Sequence, residues 1–270
     1  MLGNPKWKSQ SRISNEIEET LLMQSQTDSS GNELTRQRRF DSFITILISL
    51  YIGATLASVY WNYRMGPHGM KAYHIWSYAN VEGSTNWLGA DLQKSPWDLW
   101  IYEEILYETK PDILIEAGTY KGGSAYYFAS IFDLMKHGRV VTIDIVDYPE
   151  KPRHDRISYL LGSSTSAAIV SSVRKAIKPG DRVMVVLDSD HHKAHVLNEL
   201  RLYSAFVTVG NYLVVEDTDI NGHPVYASFG PGPMEALEEF LRENNSFVSD
   251  KTRERYGVSY YPDGWLKRIR

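Results

Sequence analysis

Five apolar, mostly β-branched runs recur through the second half of the chain: Ile113–Ala117, Arg139–Ile145, Ile157–Leu161, Arg182–Asp188 and Tyr212–Glu216. Their apolarity is continuous rather than alternating, the pattern of strands covered on both faces, and therefore of a parallel sheet. Helical patterns fill the gaps, at Ser124–Lys136, Ser166–Ile177, Ala194–Phe206 and Pro233–Glu243. Further on, Val258–Tyr261 and Trp265–Ile269 flank Pro262-Asp263-Gly264, a turn signal that predicts a closing antiparallel hairpin. The expected architecture is α/β: a doubly wound, Rossmann-like, seven-stranded sheet with a terminal antiparallel hairpin and right-handed crossovers.

Upstream, the pattern changes three times. Residues 1–40 are polar with no sustained period, which predicts a disordered arm. Residues 41–63 form an apolar helix, and within it Phe43–Trp61 carries no charge over 19 residues. That run is long enough to span a bilayer; a helix lying against the catalytic domain is the alternative. Thr45, Ser49, Gly53 and Ala57 share one face of it, where small side chains allow close helix approach. Arg36, Arg38 and Arg39 precede the run, a weak asymmetry that would place the N-terminus inside and the globular part outside, away from a cytosolic cofactor pool, which argues against a simple span. Residues 64–94, with His74, Trp76, Tyr78 and Trp87, read as irregular, aromatic-rich structure suited to a lid. Ser95-Pro96-Trp97-Asp98 then opens a helix, with Ser as cap, Pro at the first position and an acid in the first turn. The remaining domain is 95–270.

Composition narrows the function. At 270 residues and 43% hydrophobic content there is room for one α/β domain plus N-terminal material. A net charge of −4 argues against nucleic acid as a partner. The absence of cysteine excludes disulfides and thiolate chemistry. Seven Trp and 18 Tyr suggest aromatic-lined pockets.

The first strand runs into Glu116-Ala-Gly118-Thr-Tyr120-Lys-Gly122-Gly-Ser124, a strand, Gly-rich turn and helix start that would hold a ligand at the carboxyl edge of the sheet. Tyr120 stands where a dinucleotide fingerprint needs its second glycine, and no triphosphate loop is present. Glu116 before the first glycine suits a cationic ligand, ammonium or sulfonium. Asp144, ending the second strand, is placed to accept from ribose hydroxyls. Gly162-Ser163-Ser164, ending the third, is placed for an adenine ring. Two further strand ends carry acids: Asp188-Ser-Asp190-His191-His192-Lys193 and Glu216-Asp217-Thr-Asp219. Converging carboxylates need a cation, and oxygen donors suit Mg²⁺. His191, His192 and His195 raise zinc or iron, but no His-x-x-x-His motif with a glutamate is present, and no His-x-Asp with a distant His at a strand end.

The Glu-x-Gly-x-Tyr-x-Gly-x-Ser turn resembles the catechol O-methyltransferase branch of the class I S-adenosylmethionine-dependent methyltransferases. Asp188-Ser-Asp-His191, Glu216-Asp217, Asn221-Gly-His-Pro224 and Phe229-Gly-Pro-Gly-Pro233 resemble the cephalosporin hydroxylase/rhamnosyl O-methyltransferase family, over roughly 73–270. The resemblance implies S-adenosylmethionine held by Glu116, Gly118, Thr119, Tyr120, Ser124, Asp144, Ser163 and Ser164. It implies Mg²⁺ on Asp190, Glu216 and Asp217. It also implies methyl transfer to a hydroxyl, of a sugar on a lipid-linked or secondary-metabolite glycan, as in lipid biosynthesis. Lys193 matches the general base of the catechol enzymes and His191 is its rival; His223 is a candidate for the acceptor pocket. A membrane-associated enzyme, single-pass in one arrangement, with access to cytosolic S-adenosylmethionine is the expectation. An inert, membrane-tethered S-adenosylmethionine-binding module and a hydroxylase are the alternatives.

Overall fold

The structure, a computed structural model, describes residues 7–81 and 85–270. It divides into two compact units, Met1–Gly66 and Pro67–Arg270.

The described part of the first unit is one helix, α1 (Trp7–Met65). Its Arg36–Tyr63 portion is long and apolar enough to cross a membrane by length and composition, and none of it is buried. Thr45, Ser49 and Thr55 donate their hydroxyls back to the carbonyls of Asp41, Thr45 and Tyr51, so these polar atoms need no water. The stretch 7–40, part of the arm expected to be disordered, is helical too, while Met1–Lys6 lie outside the described residues. No apolar stripe announces that helix. It is built on straight-chain Glu, Gln, Leu, Met and Arg, whose intrinsic propensity is high.

The second unit opens with α2 (Pro67–Val81), where irregular structure was expected, and a small hairpin of β1 (Asn86–Trp87) and β2 (Ala90–Asp91). Then come α3 (Pro96–Thr109), β3 (Ile113–Ala117), α4 (Gly123–Met135), β4 (Val140–Asp144), β5 (Ile157–Leu161), α5 (Ala167–Ala176), β6 (Val183–Leu187), α6 (Lys193–Tyr203), β7 (Tyr212–Val215), α7 (Pro233–Glu243), β8 (Phe247–Ser249) and β9 (Trp265–Arg268). The sheet order is β5-β4-β3-β6-β7-β9-β8, parallel from β5 to β7. β9 runs antiparallel to both neighbours. The expected seven-stranded doubly wound sheet is therefore present.

Successive residues of each strand face opposite layers. Leu114, Val140, Met184, Val186, Val214 and Trp265 pack with α3 and α4 residues such as Tyr102, Ile105 and Phe128. Ile115, Ile143, Val185, Leu187, Leu213 and Leu266 pack with α5, α6 and α7 residues such as Val173, Leu200 and Phe240. Strand order reverses between β3 and β6, so a crevice opens beyond their carboxyl ends.

One strand differs from expectation. The partner of β9 in the hairpin is Phe247–Ser249, and Val258–Tyr261 is not a strand. The backbone of that segment is engaged elsewhere: Tyr260 N donates to Asp98 Oδ2 at 2.9 Å, and Tyr260 O accepts from Asp219 N at 3.3 Å. All four of its residues are buried, and Val258, Tyr260 and Tyr261 belong to the same core cluster as the α3 residues Tyr102 and Ile105.

Candidate active site

The Gly-rich turn is closed by β6. Gly118 has φ +100° and lies against the Asp188 backbone carbonyl, which would collide with any Cβ there. Asp144 then stitches the turn: Oδ2 accepts from Thr119 N at 3.0 Å and Tyr120 N at 2.7 Å, and Oδ1 from Val146 N at 2.9 Å. Each oxygen keeps further acceptor capacity on the cavity side. Beneath the turn, Glu116 is fully buried and accepts from Thr142 Oγ1 at 2.6 Å. Burial pushes its carboxyl up to about 7, against the pull of Lys94, Ser124 and Thr142.

Across the switch point lies a charged cluster around a buried lysine. Lys94, just ahead of the α3 cap residue Ser95, places Nζ 2.8 Å from Asp188 Oδ2 and 2.5 Å from Glu216 Oε2. Only 2% of the Lys94 side chain is exposed. Burial would lower its pKa, but Asp188, Glu216 and Glu116 outweigh that and raise it. Tyr102 donates to the other oxygen, Glu216 Oε1, at 2.6 Å. Burial, then the Asp188 charge, pushes Glu216 up to about 7, with Lys94 opposing. Asp217 follows with φ +53°, a left-handed conformation that turns its carboxylate to His191, Oδ2 to Nε2 at 3.2 Å. Burial raises the pKa of both Asp188 and Asp217. At His191 burial acts downward, but the facing carboxylates of Asp217, Asp188 and Glu216 win and raise it.

Asp188, His191 and Asp217 can bring three ligand atoms within 4.8 Å of one another. The two carboxylates suit a hard divalent cation, whereas the imidazole is a softer donor that such a cation does not favour and that stays open to proton transfer.

A cavity of about 620 Å³ joins the two halves. Gly118, Thr119, Tyr120, Ser124, Asp144, Ser163 and Ser164 line it on the turn side, and Asp190, His191 and Asp217 on the acidic side. Glu116 and Glu216 lie beneath its wall. Asp190 turns to His192, Oδ1 to Nδ1 at 2.6 Å, rather than toward Glu216. Lys193 pairs with Glu239 at 2.8 Å and does not line the cavity. Neither does His223, which pairs with Glu235 at 3.0 Å. The expected lid residue His74 is buried in α2 with its Nε2 2.8 Å from Asp219 Oδ2.

Sequence reasoning missed Lys94, a lone lysine in a polar stretch. Its only signal is its place one residue before a helix cap. Tyr102 was also missed, and Asp98 was read only as a first-turn acid; both lie on the buried face of α3, where an amphipathic reading expects apolar residues.

Against this geometry the sequence profile described as Rhamnosyl O-methyltransferase/CmcI matches residues 79–269. The chain belongs to that family. With that membership it is an S-adenosylmethionine-dependent O-methyltransferase. It is 40% identical over 215 residues to the rhamnosyl O-methyltransferase of Mycobacterium tuberculosis (strain ATCC 25618 / H37Rv), covering 76% of this chain and 87% of that one. The Mycobacterium leprae (strain TN) protein of the same name is 38% identical over 216 residues, covering 76% and 93%. Among solved structures, apo CmcI superposes with a TM-score of 0.56 at 20% identity, over 70% of this chain and 77% of that one. A CmcI structure titled Mg-SAM gives 0.55 at 20% identity, over 70% and 78%. These two likenesses show the shared fold.

Proposed function

We propose that this chain transfers the methyl group of S-adenosylmethionine to a hydroxyl of a sugar acceptor, with Mg²⁺ at the acidic edge. The observation that supports it most is the continuity of one cavity from the Asp144-stitched turn to the Asp188–His191–Asp217 cluster. When bound, the donor supplies an electrophilic methyl and Mg²⁺ supplies Lewis-acid charge beside the acceptor oxygen.

The chain's own residues do the rest. Asp144 offers acceptors for two ribose hydroxyls, Ser124 lines the cavity for the cationic end of the donor, and Glu116 adds its carboxylate from beneath the wall. Asp217 and Asp188 would hold the metal, a reading supported by the nearness of their carboxylate oxygens, and Asp190 and Glu216 are the acids the family pattern adds. His191 takes the acceptor proton, and Asp217 orients its ring. Lys193, held by Glu239, has no such access.

The acceptor is a sugar on a lipid-linked glycan. The mycobacterial relatives are named for rhamnosyl acceptors, and the Arg36–Tyr63 helix would keep the enzyme at a membrane surface. Titration calorimetry with S-adenosylmethionine, with and without Mg²⁺, followed by methyl transfer to a rhamnosyl glycolipid, tests the reading. Binding of one donor per chain and chelator-sensitive methylation are expected. A chain that binds no donor overturns it.

A further inference from the structure

Behind the cavity wall, another buried carboxylate gathers three separate segments. Glu199 of α6 is fully buried. Its Oε1 accepts from Ser164 Oγ, of the loop after β5, at 2.5 Å, and from Ser189 Oγ, of the loop after β6, at 2.7 Å. One helical turn back on the same face, His195 Nε2 lies 3.3 Å from that oxygen and 3.2 Å from Ser164 Oγ. The next-turn residue Tyr203 donates to the Ser164 carbonyl at 2.7 Å. Ser164, Ser189 and His195 all line the cavity, and Glu199 does not.

A buried carboxylate is a costly way to pin loops, since an apolar side chain of similar volume would serve the helix–sheet core at least as well. What an apolar residue would not supply is control of the imidazole. With Ser164 Oγ donating to Glu199, that hydroxyl oxygen is left to accept, so His195 Nε2 carries the proton toward it. Nδ1 is then the acceptor nitrogen of the neutral ring. It belongs to a residue on the wall beside Gly162, Ser163 and Ser164, the strand end placed for an adenine ring.

We propose that His195 reads the exocyclic 6-amino group of the donor's purine through Nδ1, and that Glu199 is the positioning residue that fixes the ring for this contact. The inference rests on the methyl-donor reading of the cavity and adds what selects the donor's base. A site built to accept from an amino group rejects the 6-oxo analogue, because two acceptors then face each other.

The test compares S-adenosylhomocysteine with S-inosylhomocysteine by calorimetric binding to the full chain, in alkaline buffer where imidazole is neutral. Wild type should prefer the adenosyl form by about tenfold or more. His195→Ala, at a side chain 25% exposed and so tolerant of truncation, should bring the two affinities within about threefold of each other. Glu199→Leu should do the same, and Glu199→Gln, which keeps an acceptor oxygen, should retain most of the preference. A merely structural pin would weaken both ligands equally and leave the ratio unmoved. An unchanged ratio in His195→Ala overturns the inference even if Glu199→Leu fails to fold. Equal binding of the two ligands by wild type overturns it alone. Binding of neither by wild type overturns the methyl-donor reading, and this inference with it.

Discussion

Replacing Lys94 with Met removes the one ammonium that serves both Asp188 and Glu216, at 2.8 and 2.5 Å, while keeping the stem that packs. With 2% of the Lys94 and Glu216 side chains exposed, water cannot take its place. Breaking a buried pair from one side costs about 3–5 kcal/mol, because the abandoned charge stays buried. Two features hold the loss to the lower end. Asp188 is 23% exposed, and Glu216, already pushed up to about 7, can take a proton at neutral pH. A loss near 3 kcal/mol in a unit of this size lowers Tm by roughly 10 °C. Thermal denaturation in chelator should show that fall, and adding Glu216→Gln should recover more than about 1 kcal/mol of it. Mg²⁺ should restore part of the Tm of Lys94→Met, since binding to the native cluster alone adds stability. If Lys94→Met costs under about 1 kcal/mol, or the double variant is no more stable than the single, Lys94 is not the counter-ion the geometry makes it.

Asp217→Ala should abolish Mg²⁺-dependent turnover and weaken Mn²⁺ binding, with S-adenosylhomocysteine affinity within about threefold of wild type; Asp190→Ala in the same assays shows whether the exposed partner of His192 joins the metal. Tyr102→Phe leaves Glu216 Oε1 without its 2.6 Å donor and should cost about 1.5–3 kcal/mol in chemical denaturation. Glu235 is held down to about 2: burial acts upward, but His223, Gly232 N and Asn221 outweigh it. Its depressed value means stability that is present above the ordinary glutamate range and lost as pH falls toward 2. Glu235→Gln should therefore flatten the acid limb of a Tm-against-pH curve. Removing residues 1–66 should leave donor binding intact, since Pro67–Arg270 is a compact unit, and should abolish co-sedimentation with vesicles.

The five parallel strands were legible to within a residue or so at either end, four of them because a strand buried on both faces writes itself as an unbroken apolar run, while β5, half-buried at the sheet edge, was legible from its apolar residues alone. The last hairpin was misassigned for a local reason. Phe247–Ser249 offers only three residues after two asparagines, whereas Val258–Tyr261 alternates like a strand while its backbone answers to Asp98 and Asp219. In the site, the turn and Asp144 could be read because a strand end, a glycine and an acid have fixed spacing in this fold. Lys94 could not, since its partners lie 94 and 122 residues away in sequence. Glu199 left a fainter trace. It sits among Val196, Leu200 and Tyr203 on the buried face of α6, an acid where the helical period calls for an apolar residue.

The position of β9 bears on how this enzyme is made. It lies between β7 and β8, pairing Val214 with Trp265 and Leu213 with Leu266. The strand that leads into Glu216 and Asp217 thus has one bare hydrogen-bonding edge until Trp265–Arg268 has been synthesised. A nascent chain halted anywhere before that point would expose the Tyr212–Val215 edge as a template for another chain. Ribosome-bound intermediates should accordingly call on chaperones late, and a stop codon that deletes β9 should yield aggregate rather than an enzyme with a weakened acceptor side.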